Sequence, residues 1–351
     1  MDLLEPSKWP QLSGVPLKII SVIAAILIAI AGSEAFSSPI ADQSPHKVSF
    51  VNVENGIKLE VLDWGGAGRP LVFLAGLGDT AHVFDRLAPE FVKSNHVYAI
   101  TRRGFGNSSK PEPTIDNYSA ARLGKDVLQA IDALGLERPI LAGHSLAGEE
   151  LSWVGSYHPN KISGLIYLDA GYSYAFYTPG SSIPLGTNLV LSAEELNKKL
   201  RKFEAPGVAG RARPVGDAAA EIKGPLSDFE KDLSAAQHAL EIFPPPPTAS
   251  KQPAKNLEDK ISDTVLSGAQ KFTHLRVPIL ALFGDPPAGP PNVDPKVGAA
   301  ETARWDEQIN AFAAGVPSAH VVKLANAQHE LWMTNKDDVV REMKNFMATL
   351  N

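Results

Sequence analysis

The chain contains no cysteine. Disulfides, thiolate nucleophiles and cysteine-ligated metals are excluded, as is the lipid-bearing cysteine of a bacterial lipoprotein. It has no H-E-x-x-H segment and no other close grouping of histidines and carboxylates at metal-ligand spacing, so no metal or other cofactor is expected. No basic stripe runs along it, and a formal net charge of -6 gives no support for nucleic-acid binding. No apolar run reaches the roughly twenty residues that a membrane-spanning helix needs. No internal repeat period is present either.

With 351 residues and 44% hydrophobic composition, the chain can bury a large core. Lys18 is followed by an apolar run from Ile19 to Ala31, broken only by Ser21, and then by Gly32-Ser33-Glu34-Ala35. That length suits the apolar part of a signal peptide, with Ser33 and Ala35, or Ala29 and Ala31, as small residues before a cleavage site. The long leading segment and its Asp2 and Glu5 keep an uncleaved membrane anchor open as the alternative. The expected organisation is a leader at 1–35, a Pro/Ser-rich linker at 36–46, a core in two parts at 47–170 and 276–351, and an insertion at 171–275. Secretion or a periplasmic location is expected, with membrane contact only through the N-terminal segment if it is retained.

The most informative segment is Gly143-His144-Ser145-Leu146-Ala147-Gly148. Pro139 to Ala142 predicts a short buried strand and Leu146 to His158 a helix stopped by Pro159, so Ser145 sits on a strand-to-helix turn. This is the setting of a nucleophile elbow, although Ala147 replaces the second glycine of G-x-S-x-G. There the Leu146 amide and the helix N-terminus face developing negative charge. Glu149 and Glu150 fall in the first turn of that helix, where the dipole favours carboxylates. If either faced the pocket, its charge would disfavour anionic substrates.

From about Lys47 to Leu350 the chain resembles the α/β-hydrolase superfamily, on several separate segments. Leu71 to Gly78 resembles the family's third strand and oxyanion loop, with Ala75-Gly76 where His-Gly is usual. The resemblance makes Leu77 the second amide of an oxyanion hole and sets Gly76 and His144 beside the substrate. Thr101-Arg102-Arg103-Gly104-Phe105-Gly106-Asn107-Ser108 resembles the D-x-R-G-x-G-x-S turn after the fourth strand, with threonine for aspartate, and reads as structural. His320 to Leu324 alternates as a strand, the loop Ala325 to Glu330 follows, and Val339, Val340, Met343, Phe346, Met347 and Leu350 recur at helical spacing. His329, in that loop, is the expected general base.

The family accepts its acid after either the sixth or the seventh strand, and both places hold an aspartate. Asp169 follows Leu165-Ile166-Tyr167-Leu168, at a distance from Ser145 that resembles haloalkane dehalogenases and lactone hydrolases. Asp285 follows Ile279 to Gly284 but lies two residues before the usual position. Asp169 is favoured and Asp285 is the alternative. Tyr172, Tyr174, Phe176 and Tyr177 come directly after Asp169, and either line the pocket or pack in the core. Leu191 to Phe203 and Leu226 to Phe243 predict helices in the insertion, where this fold carries a cap.

The implied architecture is a mostly parallel sheet flanked by helices, with a helical cap inserted after strand six. The expected chemistry is hydrolysis of an ester or related carbonyl in a small molecule through an acyl-enzyme. Serine rather than aspartate at the elbow argues against dehalogenase or epoxide hydrolase chemistry. A small-ligand receptor on the same scaffold is the alternative from another class, and a cofactor-free perhydrolase or lyase a further one.

Overall fold

The computed structural model describes residues 44–54, 56–181, 187–204, 215–242, 255–285 and 295–350. The leader and most of the linker lie outside them. Eight strands form one sheet: β1 (Lys47–Glu54), β2 (Ile57–Gly65), β3 (Leu71–Leu74), β4 (Val97–Ile100), β5 (Ile140–His144), β6 (Gly164–Leu168), β7 (Ile279–Asp285) and β8 (Ala319–Ala325). Their order is β1-β2-β4-β3-β5-β6-β7-β8. β2 pairs antiparallel with both β1 and β4, and every pairing from β4 to β8 is parallel.

Parallel strands covered on both faces are apolar throughout, because successive side chains alternate between two buried layers. Val72, Leu141, Leu165 and Ala281 point into one layer, and Phe73, Ala142, Ile166 and Leu280 into the other. The first layer is closed by α1 (Ala120–Ala133), α2 (Gly148–Tyr157) and α6 (Pro295–Gly315), the second by the C-terminal α7 (Lys336–Ala348). In α1 the apolar stripe of Leu123, Val127, Ala130 and Ile131 is buried, and the Ser119 side chain caps the helix by accepting from the Arg122 amide. α1 and α2 pack so closely that a Cβ on Gly124 would lie 2.3 Å from the Trp153 ring.

Between β6 and β7 come α3 (Thr187–Glu204) and α4 (Val215–Ile242), which pack on each other, and α5 (Leu257–Ser267). α4 starts well before Leu226 because the helix continues through Pro225, where one backbone donor is missing. Asp232 ties α4 to the chain leaving β6, accepting from the Tyr177 hydroxyl at 2.9 Å and the Gly180 amide at 2.8 Å. α5 has a capping box between Asn256 and Asp259 and buries Ile261 and Val265 against Phe105, Tyr118 and Leu146. Among the described residues no helix is long and apolar enough to cross a membrane.

Candidate active site

Each residue of the candidate site stands at the C-terminal end of a strand, where open α/β sheets hold their ligands. Ser145 follows β5 directly, with φ 52°, and opens a single helical turn, Ser145–Ala147, that runs into α2. Left-handed backbone at a non-glycine residue costs energy, and here it lifts the serine side chain out of the strand-to-helix turn. Asp169, after β6, also has positive φ, 48°. His329 lies in the loop after β8.

These three side chains form one hydrogen-bonded series. The Ser145 Oγ lies 2.9 Å from His329 Nε2, and His329 Nδ1 lies 2.7 Å from Asp169 Oδ2. Since the carboxylate can only accept, Nδ1 carries the proton and Nε2 presents its lone pair to the serine hydroxyl. Asp169 Oδ1 accepts from the Tyr172 hydroxyl at 2.5 Å and the Gly284 amide at 2.9 Å. Asp285, on the neighbouring strand, makes no hydrogen bond to His329 among the described residues.

Burial works against a charged His329, but the hydrogen bond and charge of Asp169, with smaller help from Glu330 and Asp79, outweigh it. The imidazole pKa is therefore raised above its ordinary value. Its side chain is 31% exposed, whereas that of Asp169 is 7% exposed. His329 thus faces the solvent side of the site and its carboxylate partner is enclosed.

Gly76, in the loop after β3, packs against this series. A Cβ there would lie 3.3 Å from Ser145 Cβ, 3.0 Å from His144 Nδ1 and 2.9 Å from Asp79 Oδ2. Only glycine lets the loop come so near. Leu146, in the first helical turn after β5, has no preceding helical carbonyl to bond its amide. Leu77 packs in the apolar cluster that also holds the Leu146 side chain.

His144 is buried beneath the site. Its Nε2 donates to the His329 carbonyl at 3.1 Å, which steadies the histidine loop. Of the tyrosines after Asp169, Tyr172 is a core residue packed on Phe283 and Trp305 with its hydroxyl on the acid. Tyr174 stands edge-on to Tyr172, with ring centroids 6.0 Å apart. Burial first, then the charges of Asp169 and Glu149, keeps its phenol protonated well above the ordinary range.

The two carboxylates of α2 have different surroundings. Glu150 pairs with the buried Arg102, whereas both Glu149 oxygens are buried without a hydrogen-bond partner. Burial, then repulsion from Glu150, raises the Glu149 pKa well above the carboxylate range, so its charge is suppressed rather than presented to a substrate. Arg102 was not expected at the site. Two adjacent arginines beside buried strands, with two glutamates on a buried helix, are the signal that buried charges must be paired. Arg103 makes the other pairing, to Asp126 at 2.5 Å and Glu54 at 2.7 Å. Among the described residues no three histidines or carboxylates group as metal ligands would.

A family model described as the alpha/beta hydrolase fold matches residues 69–213, which include β3 to β6, the serine turn and Asp169. That match and the mostly parallel eight-stranded sheet support the α/β-hydrolase superfamily for this chain. Among solved structures of this fold, a hydrolase from Pseudomonas aeruginosa is 21% identical with a TM-score of 0.53, the match covering 86% of this chain and 99% of that one. E-2-(acetamidomethylene)succinate hydrolase matches with a TM-score of 0.54 at 17% identity, over 87% of this chain and 100% of the other. Among curated relatives, epoxide hydrolase A of Mycobacterium tuberculosis is 37% identical over 53% of this chain and 57% of that protein. Fluoroacetate dehalogenase of a Burkholderia species is 32% identical over 32% of this chain and 38% of its own. The chain thus spans less than two thirds of the length of these relatives.

Proposed function

We propose that this α/β hydrolase is a serine hydrolase that cleaves an ester or related carbonyl substrate through an acyl-enzyme. The observation that carries the proposal is the unbroken series from Ser145 Oγ through His329 to Asp169, at 2.9 and 2.7 Å. His329 Nε2 takes the Ser145 proton as Oγ bonds to the carbonyl carbon, and Asp169 stabilises the resulting imidazolium. The Leu77 and Leu146 amides hold the oxyanion. His329 then gives its proton to the leaving oxygen as the ester bond breaks, and a water deprotonated by the same nitrogen releases the acyl group. The helices between β6 and β7 are assigned as the cap that limits access to this centre.

Two curated relatives carry names for epoxide and carbon–fluorine chemistry, but the nucleophile position here is a serine. A carboxylate attacks an alkyl carbon and leaves an ester that water can hydrolyse. Serine attacking such a carbon would leave a stable ether, so its paired base fits carbonyl chemistry instead. Hydrolysis of p-nitrophenyl esters over a short-to-long acyl series, lost in Ser145→Ala, is the expected result. Absence of turnover at every acyl length in the folded chain would overturn the reading in favour of a binding role.

A further inference from the structure

The oxyanion loop has lost the histidine that its family usually places before Gly76, yet it is held firmly from beneath. Arg102, just after β4 and 6% exposed, donates from Nη1 to the Gly76 carbonyl at 2.8 Å and from Nη2 to the Ala75 carbonyl at 2.9 Å. The rest of its fork grips Glu150 of α2, Nε to Oε1 at 2.5 Å and Nη2 to Oε2 at 3.0 Å. One side chain therefore joins three segments: the end of β4, the loop after β3, and the helix behind the serine.

The direction of these bonds matters more than their number. In a trans peptide the carbonyl of one residue and the amide N–H of the next point opposite ways. Fixing the Gly76 carbonyl on Arg102 fixes the Leu77 N–H pointing away from the guanidinium. Gly76 meanwhile lies so near Ser145 that a Cβ added to it would come within 3.3 Å of the serine Cβ. The same guanidinium is locked to α2, which continues the turn holding the Leu146 amide. We infer that Arg102, anchored by Glu150, is a positioning residue that aims the Leu77 amide so that it and the Leu146 amide converge on one substrate oxygen. This rests on the serine-hydrolase reading. Lysine cannot replace it, because a single ammonium on a flexible stem cannot hold two carbonyls and both carboxylate oxygens in one plane.

The test compares the full-length wild type with Arg102→Lys and with the double variant Arg102→Met/Glu150→Met, which leaves no unpaired buried charge. Turnover of a p-nitrophenyl ester is measured together with inhibition by a trifluoromethyl ketone of the same acyl length, whose adduct with serine carries a tetrahedral oxyanion. Near-ultraviolet circular dichroism confirms folding. In either folded variant kcat is expected to fall about 10- to 100-fold, up to the lower end of the roughly 100- to 1,000-fold loss seen when one oxyanion donor is removed outright. KM should stay within about twofold, with ketone affinity falling in parallel with kcat/KM. A folded variant with wild-type kcat and ketone affinity overturns the inference, as does a loss confined to KM. If the folded wild type neither turns over the ester nor binds the ketone, the hydrolase reading itself fails and takes this inference with it.

Discussion

Replacing Asp169 by asparagine should nearly abolish turnover while leaving the fold intact, for a reason visible in its three hydrogen bonds. Two donors, the Tyr172 hydroxyl and the Gly284 amide, converge on Oδ1. An asparagine must therefore keep its carbonyl oxygen there and turn its NH2 group towards His329 Nδ1. That nitrogen then has to accept, so the ring proton moves to Nε2, and the face towards Ser145 becomes a donor instead of a base. The loss expected for a wrong tautomer is about 1,000- to 10,000-fold in kcat/KM, roughly 4–5.5 kcal/mol of transition-state stabilisation. Asp285→Asn is expected to stay within about threefold of wild type, since Asp285 makes no hydrogen bond to His329. Both variants are assayed on one p-nitrophenyl ester at a pH where wild type is fully active. Asp169→Asn with activity within threefold of wild type, or the large loss in Asp285→Asn instead, would refute the tautomer argument.

The pH profile follows from the same pair. Because Asp169 raises the His329 pKa, the neutral base accumulates only above the ordinary histidine value of 6.5, and kcat/KM should rise with pH to a midpoint above it; a midpoint at or below 6.5 contradicts this. Glu149 has a folded pKa well above its unfolded value of 4.5, so its contribution to stability is full below pH 4.5 and is lost as pH rises through the folded pKa. Glu149→Gln should accordingly raise the melting temperature at pH 8 more than at pH 5, and an equal shift at both would count against a buried, protonatable carboxyl. Gly148→Ala would set a Cβ 2.1 Å from the Ala170 carbonyl oxygen, at the contact between the serine helix and the strand-end that carries Asp169. A loss of about 1–3 kcal/mol is expected from such overpacking, and an unchanged denaturation midpoint would show that the two segments can part freely.

The strand-to-helix turn at Ser145 was legible because short apolar runs, small residues and a proline stop are local signals, and the mostly parallel sheet followed from their alternation with helices. The loop holding His329 was legible for the same reason. The choice between Asp169 and Asp285 was legible only as a preference for Asp169, because both end a buried strand and three-dimensional register decides which carboxylate lies beside the histidine. α5 escaped notice because only Ile261 and Val265 mark its buried face, and the early start of α4 because Gly224-Pro225 reads as a break. Arg102 looked like part of a structural turn. Its partners, Glu150 and the carbonyls of Ala75 and Gly76, are distant in sequence, and such long-range pairing leaves no local pattern.

The most direct test of the central claim is peptide mass spectrometry after treatment with diethyl p-nitrophenyl phosphate, which phosphorylates an activated serine. The account predicts one diethylphosphoryl group per chain, on the peptide containing Ser145, with ester hydrolysis lost in step and no labelling of His329→Ala. Hydrolysis that persists with Ser145 unmodified, or a label on another residue, would contradict it.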